Sequence, residues 1–215
     1  MKKLILFVLF VFAFQQIDAQ ETEKMKALFG GSVSVGYGVM TGNISDYIGN
    51  PFMLPLSGEI LYKNLYVQLN LDAGFSKVKK TMTFSDGSSW EDGDQAWHNF
   101  FGGNIAYALI NNEKMAIAPV VGYAHGYISS KWWGQSDIVD HEPSANYLNV
   151  AVFYDMKRKL NESGANTEKF AAYQGIRFTI GAYIAMGDAD PYPELYNGST
   201  IYFSVGFPAF SAWKK

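Results

Sequence analysis

The chain has 215 residues, of which 48% are apolar and 16% aromatic, with 21 glycines, no cysteine and a net charge of −3. That length suffices for one domain with a sizeable core. The lack of cysteine excludes a disulfide framework, and the acidic balance argues against nucleic acid as a partner.

Lys2 and Lys3 precede an unbroken apolar run from Leu4 to Phe14, followed by a polar stretch ending in Asp18-Ala19-Gln20. This charged, apolar and polar order predicts a secretory signal peptide over 1–20, cleaved near Ala19 or Gln20, with 21–215 as the mature domain. The apolar run is short of the roughly 20 residues a transmembrane helix needs. Without 1–20, which removes Lys2, Lys3 and Asp18, 15 basic and 19 acidic residues remain.

Residues Phe29 to Gly42, "FGGSVSVGYGVMTG", alternate with period two. Phe29, Gly31, Val33, Val35, Tyr37 and Val39 share one face of a strand, and Gly30, Ser32, Ser34, Gly36 and Gly38 share the other. After the connection "TGNISDYIGNPFML", a second strand "PLSGEILYK" sets Leu56, Ile60 and Tyr62 against Ser57 and Glu59. Lys63-Asn64 is read as a tight turn. The third strand, Leu65 to Ser76, alternates without a break: Leu65, Val67, Leu69, Leu71, Ala73 and Phe75 against Tyr66, Gln68, Asn70, Asp72, Gly74 and Ser76. A helix would scatter these residues around its circumference.

A long polar segment precedes the fourth strand, Trp97 to Ile110, which sets Phe101, Ile105, Tyr107 and Leu109 against His98, Gly102, Asn104 and Ala106. The turn "NNEK" leads to the fifth, Met115 to Ile128, where Pro119 predicts a bulge or a free N–H position. The sixth, Asn146 to Met156, the seventh, Ala171 to Met186, and the eighth, Thr200 to Phe207, repeat the pattern. Long and short connections alternate along most of the chain. Strands of this length suit a bilayer crossing, which takes about 9 to 11 residues, better than a globular sheet, whose strands cluster near about 5 or 6.

The composition of the second face decides which side is inside. A soluble, lipocalin-like barrel would turn the apolar face inward and carry many charges outside. Here the second face is Gly, Ser, Ala, Tyr, Asn, Gln and Thr, with few charges, which fits the narrow lumen of an eight-stranded barrel. The apolar face, with Val33, Val35, Tyr37 and Val67, is therefore assigned to lipid. The predicted fold is all-β: an eight-stranded antiparallel up-and-down transmembrane β-barrel, with long loops outside and short turns in the periplasm.

The signal peptide, the eight long alternating strands and the loop order resemble the small outer-membrane β-barrel family typified by OmpX and the OmpA barrel domain. The resemblance covers essentially the whole mature chain and implies the cell outer membrane as location. It departs at the C-terminus. Family members often end on an aromatic residue used in assembly, whereas this chain runs past Phe207 and Phe210 to "SAWKK", leaving Phe207, Phe210 or Trp213 for that role.

Lumen-facing charges are few: Glu59, Asp72, Asp155 and Arg177, with His98 nearby. Arg177 is expected to pair with Glu59, with Asp72 as a second partner, because a lone charge there costs several kcal/mol. Barrels of this kind also include lipid A deacylases, which use a His-x-Ser pair on the lipid face. His125 has that parity, but Tyr127 stands where the serine belongs. His98 and His141 lack metal-ligand spacing. The acidic cluster Asp86, Glu91, Asp92 and Asp94 does not have EF-hand spacing and reads as a solvated loop. Trp90, Trp97, Trp132 and Trp133 are placed in aromatic girdles at the strand ends.

The sequence thus predicts a barrel without catalytic residues, cofactor or metal, too narrow for a general porin. Its partners are the lipid of the outer membrane and ligands or a host surface met by the loops, and it is expected to be a monomer. The alternatives are a lipid A-modifying enzyme and a soluble exported binding barrel.

Overall fold

The computed structural model describes residues 27–83, 89–129, 144–159, 170–187 and 198–213. The signal segment, Asp86, Trp132, Trp133 and His141 lie outside the described residues. In chain order the elements are β1 (Leu28–Met40), a one-turn helix α1 (Ile44–Tyr47), β2 (Phe52–Tyr62), β3 (Leu65–Lys77), β4 (Met82–Thr83) and β5 (Ser89–Trp90), then β6 (Gln95–Tyr107), β7 (Ile110–Asn111), β8 (Met115–Ser129), β9 (Ser144–Lys159), β10 (Phe170–Ala185) and β11 (Thr200–Trp213). Eight of these are long. Each long strand pairs antiparallel with the next long one, and β11 pairs with β1, so the sheet closes. Closure gives every strand two partners, which removes the unpaired edges that hydrocarbon cannot hydrate.

Registered partners can be followed once around the barrel. Phe29 faces Ile60, which faces Val67, then Ile105, Val121, Val150, Ala182 and Ile201, which faces Val39 of β1. The row returns ten positions along the strand on which it began, which is the stagger that tilts the strands. All nine of these residues are apolar and face outward. Val33, Leu69 and Phe207 are 61%, 65% and 68% exposed, whereas Ser34, Gln68 and Tyr202 on the alternate parity are buried. Among the described outward positions, Lys77 and Arg158 at strand ends are the only Asp, Glu, Lys or Arg side chains. The exterior is therefore an apolar surface, with Val33, Val35, Tyr37 and Val67 exposed on it.

The strands run further than the periodicity indicated. β2 starts at Phe52 rather than Pro55, and β11 continues six residues past Phe207 to Trp213. Pro55 masked the first boundary. It lies within β2, and the β1–β2 ladder lapses between Val33–Leu56 and Gly36–Met53, where Pro55 has no N–H to donate. Near Pro119, Ala106 pairs with Val120 while Ile110 pairs with Ile117, so four steps on one strand match three on the other. That is a bulge, as the proline suggested.

Lumen glycines let neighbouring side chains cross the wall. A Cβ on Gly122 would meet Asn104 Oδ1 at 1.8 Å and the Gly103 carbonyl at 2.4 Å, whereas one on outward Gly58 meets nothing within 4 Å. Gly122→Val is expected to destabilise the barrel by about 1–3 kcal/mol and Gly58→Val to be near neutral, measured by reversible urea unfolding in lipid vesicles. Equal stabilities would contradict the packing described.

Candidate functional site: two lumen plugs and a capped mouth

Arg177 anchors the half of the lumen nearer the short turns. The β9–β10 register sets it directly across from Asp155, and its Nε and Nη2 donate to Asp155 Oδ1 and Oδ2 at 2.6 and 2.9 Å. Its Nη1 reaches across the lumen to Glu59 Oε1. Ser57 Oγ donates to the same Glu59 oxygen and lies 2.8 Å from Ser32 Oγ. The guanidinium stands 4.1 Å from the centroid of the Phe153 ring, and Phe153 and Phe210 pack edge-on against Tyr66. Arg177, Glu59 and Asp155 are all buried. Two carboxylates in a bidentate and cross-lumen arrangement offset the cost of removing one guanidinium from water.

The second carboxylate of this cluster is therefore Asp155, not Asp72. Asp72 belongs to a separate plug in the outer half, where it accepts a hydrogen bond from Tyr183. Tyr183 stacks on Phe100 at 4.4 Å and on Tyr202 at 5.1 Å, and Tyr147 closes edge-on against Phe100. Tyr202 lies over Gly181, where a Cβ would meet its ring and hydroxyl at 2.7 Å. The Tyr202 hydroxyl donates to Asn149 Oδ1 at 3.0 Å, and Asn149 Nδ2 donates to Asn104 Oδ1 at 3.1 Å, passing over Gly122. Between the plugs lies a chamber of about 60 Å³ lined by residues of both networks.

The first two loops form a small apolar cap at the outer end of the barrel. Ile44 and Ile48 of the first loop, Val78, and Met82 and Trp90 of the β4–β5 hairpin are buried together with Met40, Met53 and Ile128. The loop is tied down by an Ile48–Val78 bridge and by hydrogen bonds from Gly49 N and Lys79 N to the Lys77 and Tyr47 carbonyls. Beneath this cap His98 is buried, its Nε2 2.7 Å from Ser76 Oγ, and its Nδ1 has no partner among the described residues.

Trp90 is therefore a cap residue rather than a girdle residue. Its apolar ring finds a dry site within the loop fold. Trp97 does stand at the rim, ending a registered aromatic row Phe203–Tyr37–Phe52–Phe75–Trp97 across five adjacent strands. His125 is exposed on the outward parity, and its Nδ1 lies 3.1 Å from Asn146 Oδ1; among the described residues no hydroxyl hydrogen-bonds to it. Glu91 spends its carboxylate inside the hairpin, accepting from Ser89 and Thr81, and these hydroxyls hold it below the usual carboxylate range. Asp94 accepts from the Glu91 N–H. Among the described residues no three acidic or histidine side chains gather as a metal site.

A closed ring of eight strands, an apolar exterior and a packed polar lumen settle the architecture. The fold is that of a small outer-membrane β-barrel. Solved structures similar to it include Neisserial surface protein A, at 11% identity over 85% of this chain and 95% of that one, with a TM-score of 0.46. Ail, the attachment invasion locus protein of Yersinia pestis, solved with the heparin analogue sucrose octasulfate, is 12% identical over 86% and 99%, with a TM-score of 0.48. The N-terminal β-barrel domain of Pseudomonas aeruginosa OprF is 11% identical over 86% and 98%, with a TM-score of 0.40. No protein-family model matches the sequence, and no curated protein matches it.

Arg177→Met leaves Glu59 and Asp155 buried without their cation and is expected to cost about 3–5 kcal/mol. Adding Glu59→Gln and Asp155→Asn to Arg177→Met is expected to recover most of that loss. Urea unfolding of the vesicle-refolded variants measures both, and a stable single variant would contradict the network.

Proposed function

We propose that the chain is exported on residues 1–20, inserts as a monomer into the outer membrane of a Gram-negative envelope, and serves there as a structural and surface-recognition protein through its outer loops. The observation that carries this reading is the blocked lumen. Two plugs, Arg177–Glu59–Asp155 with Tyr66, Phe153 and Phe210, and Asp72–Tyr183 with Phe100, Tyr147 and Tyr202, occupy the space a solute would cross. The apolar cap gives the described parts of the first two loops a packed core of their own. A preshaped loop surface binds without the entropy cost of ordering itself.

The position of His125 beside Asn146, with Tyr127 two residues on, supports a non-enzymatic role, because acyl transfer needs a nucleophile at the base. The exposed aromatic row at the outer rim suits anchoring in the interface with lipid.

Fractionation is expected to recover the protein with outer membranes, its N-terminus near residue 21. In planar bilayers the purified barrel is expected to give no stable open-pore conductance. Cells displaying it are expected to adhere to an epithelial monolayer more than cells displaying a barrel whose 42–50 and 79–93 loops are replaced by short Gly-Ser turns. A sustained porin-like conductance, or equal adherence of the two strains, would contradict the reading.

A further inference from the structure

The charges in the lumen do not balance. In the half nearer the short turns Arg177 is matched by Glu59 and Asp155, and Lys157, on the inward parity of β9 and within the field of Asp155, supplies the second positive charge. Asp72 is left over. It is buried, and among the described residues its side-chain partner is the neutral Tyr183 hydroxyl. Tyr202 points its hydroxyl at Asn149, His98 is joined to Ser76, and the donors of Arg177 are spent on the other two carboxylates.

Asp72 also borders the chamber of about 60 Å³, whose wall carries neutral oxygens from Ser57, Gln68, Asn70 and Thr179 as well as Arg177, whose donors are already engaged. A buried carboxylate without a cationic partner, bordering a small space that hydroxyl and amide oxygens reach, has the chemistry of a hard-cation site, because such ions prefer carboxylate, carbonyl and hydroxyl oxygens. The volume admits an ion with a few waters, each needing about 10–15 Å³, and excludes an organic ligand. A divalent ion would ordinarily draw more than one carboxylate, and here the other two are held by Arg177.

We propose that the chamber between the plugs binds one alkali-metal cation of the sodium class, held by Asp72 and the neutral oxygens around it. The ion neutralises the outer half of the lumen as Arg177 neutralises the inner half, and it braces the two plugs against each other.

The test uses the full mature barrel refolded into neutral phosphatidylcholine vesicles in sodium-free buffer, then unfolded in urea with sodium chloride or with choline chloride at equal ionic strength. Sodium, and not choline, is expected to raise the folding constant about tenfold at ten times its dissociation constant. Asp72→Asn, which keeps the shape and a hydrogen-bond acceptor for Tyr183, is expected to remove that sodium-specific gain. Equal effects of the two salts, or an undiminished sodium effect in Asp72→Asn, would overturn the proposal. If Asp72→Asn does not refold, crystals of the unaltered barrel grown in rubidium chloride decide. An anomalous peak in the chamber supports the site, and its absence overturns it.

Discussion

In hydrocarbon a backbone N–H or C=O has nothing to bond except another part of the chain, and the pairing of β11 with β1 is what satisfies that demand here. Everything else follows from closing the ring at eight strands. The ring is so narrow that side chains must fill it, and any charge inside must find a partner inside. Small residues at Gly122 and Gly181 are the local answer, since each leaves room for a neighbouring strand's side chain to lie across the wall. Arg177 is the global one, joining β10 to β9 and, across the lumen, to β2.

This packing separates the molecule into an inert trunk and a shaped outer end. The trunk presents an outer surface of Val, Ile, Leu and Phe and keeps its polar groups inside. The outer end is more than a set of solvated tethers. Ile44, Ile48, Val78, Met82 and Trp90 give the first two loops an apolar core of their own, seated on Met40 and Met53 of the barrel. The filled lumen and the apolar core of the first two loops are thus two separate packing units, one inside the barrel and one at its outer end.

The fold was legible because a membrane strand repeats one instruction for its full length. Leu65 to Ser76 alternates without a break, and the structure keeps each of those residues on the face the alternation assigned. The parity of Glu59 and Arg177 was readable for the same reason. Choosing Asp155 rather than Asp72 as Arg177's second partner was not, since it depends on the β9–β10 register, and parity alone does not fix how two strands slide past each other. Strand ends were obscured where proline or a gap in hydrophobicity interrupted the pattern, at Pro55 in β2 and beyond Phe207 in β11. The cap escaped because its apolar residues are single letters in polar segments. Ile44 and Ile48, four apart, were the signal for α1, and Trp90 read as a rim anchor because sequence alone does not say whether an aromatic at a strand end meets lipid or another loop.

The assignment of faces underlies all of this, and nitroxide scanning of β1 in lipid vesicles tests it directly. Spin labels on Val33→Cys, Val35→Cys and Tyr37→Cys should relax strongly with oxygen dissolved in the bilayer, while labels on Ser32→Cys and Ser34→Cys should be shielded from it. A period-two alternation of oxygen accessibility with its maxima at 33, 35 and 37 is the predicted result. Maxima at 32 and 34, or no alternation, would contradict a lipid-facing apolar surface.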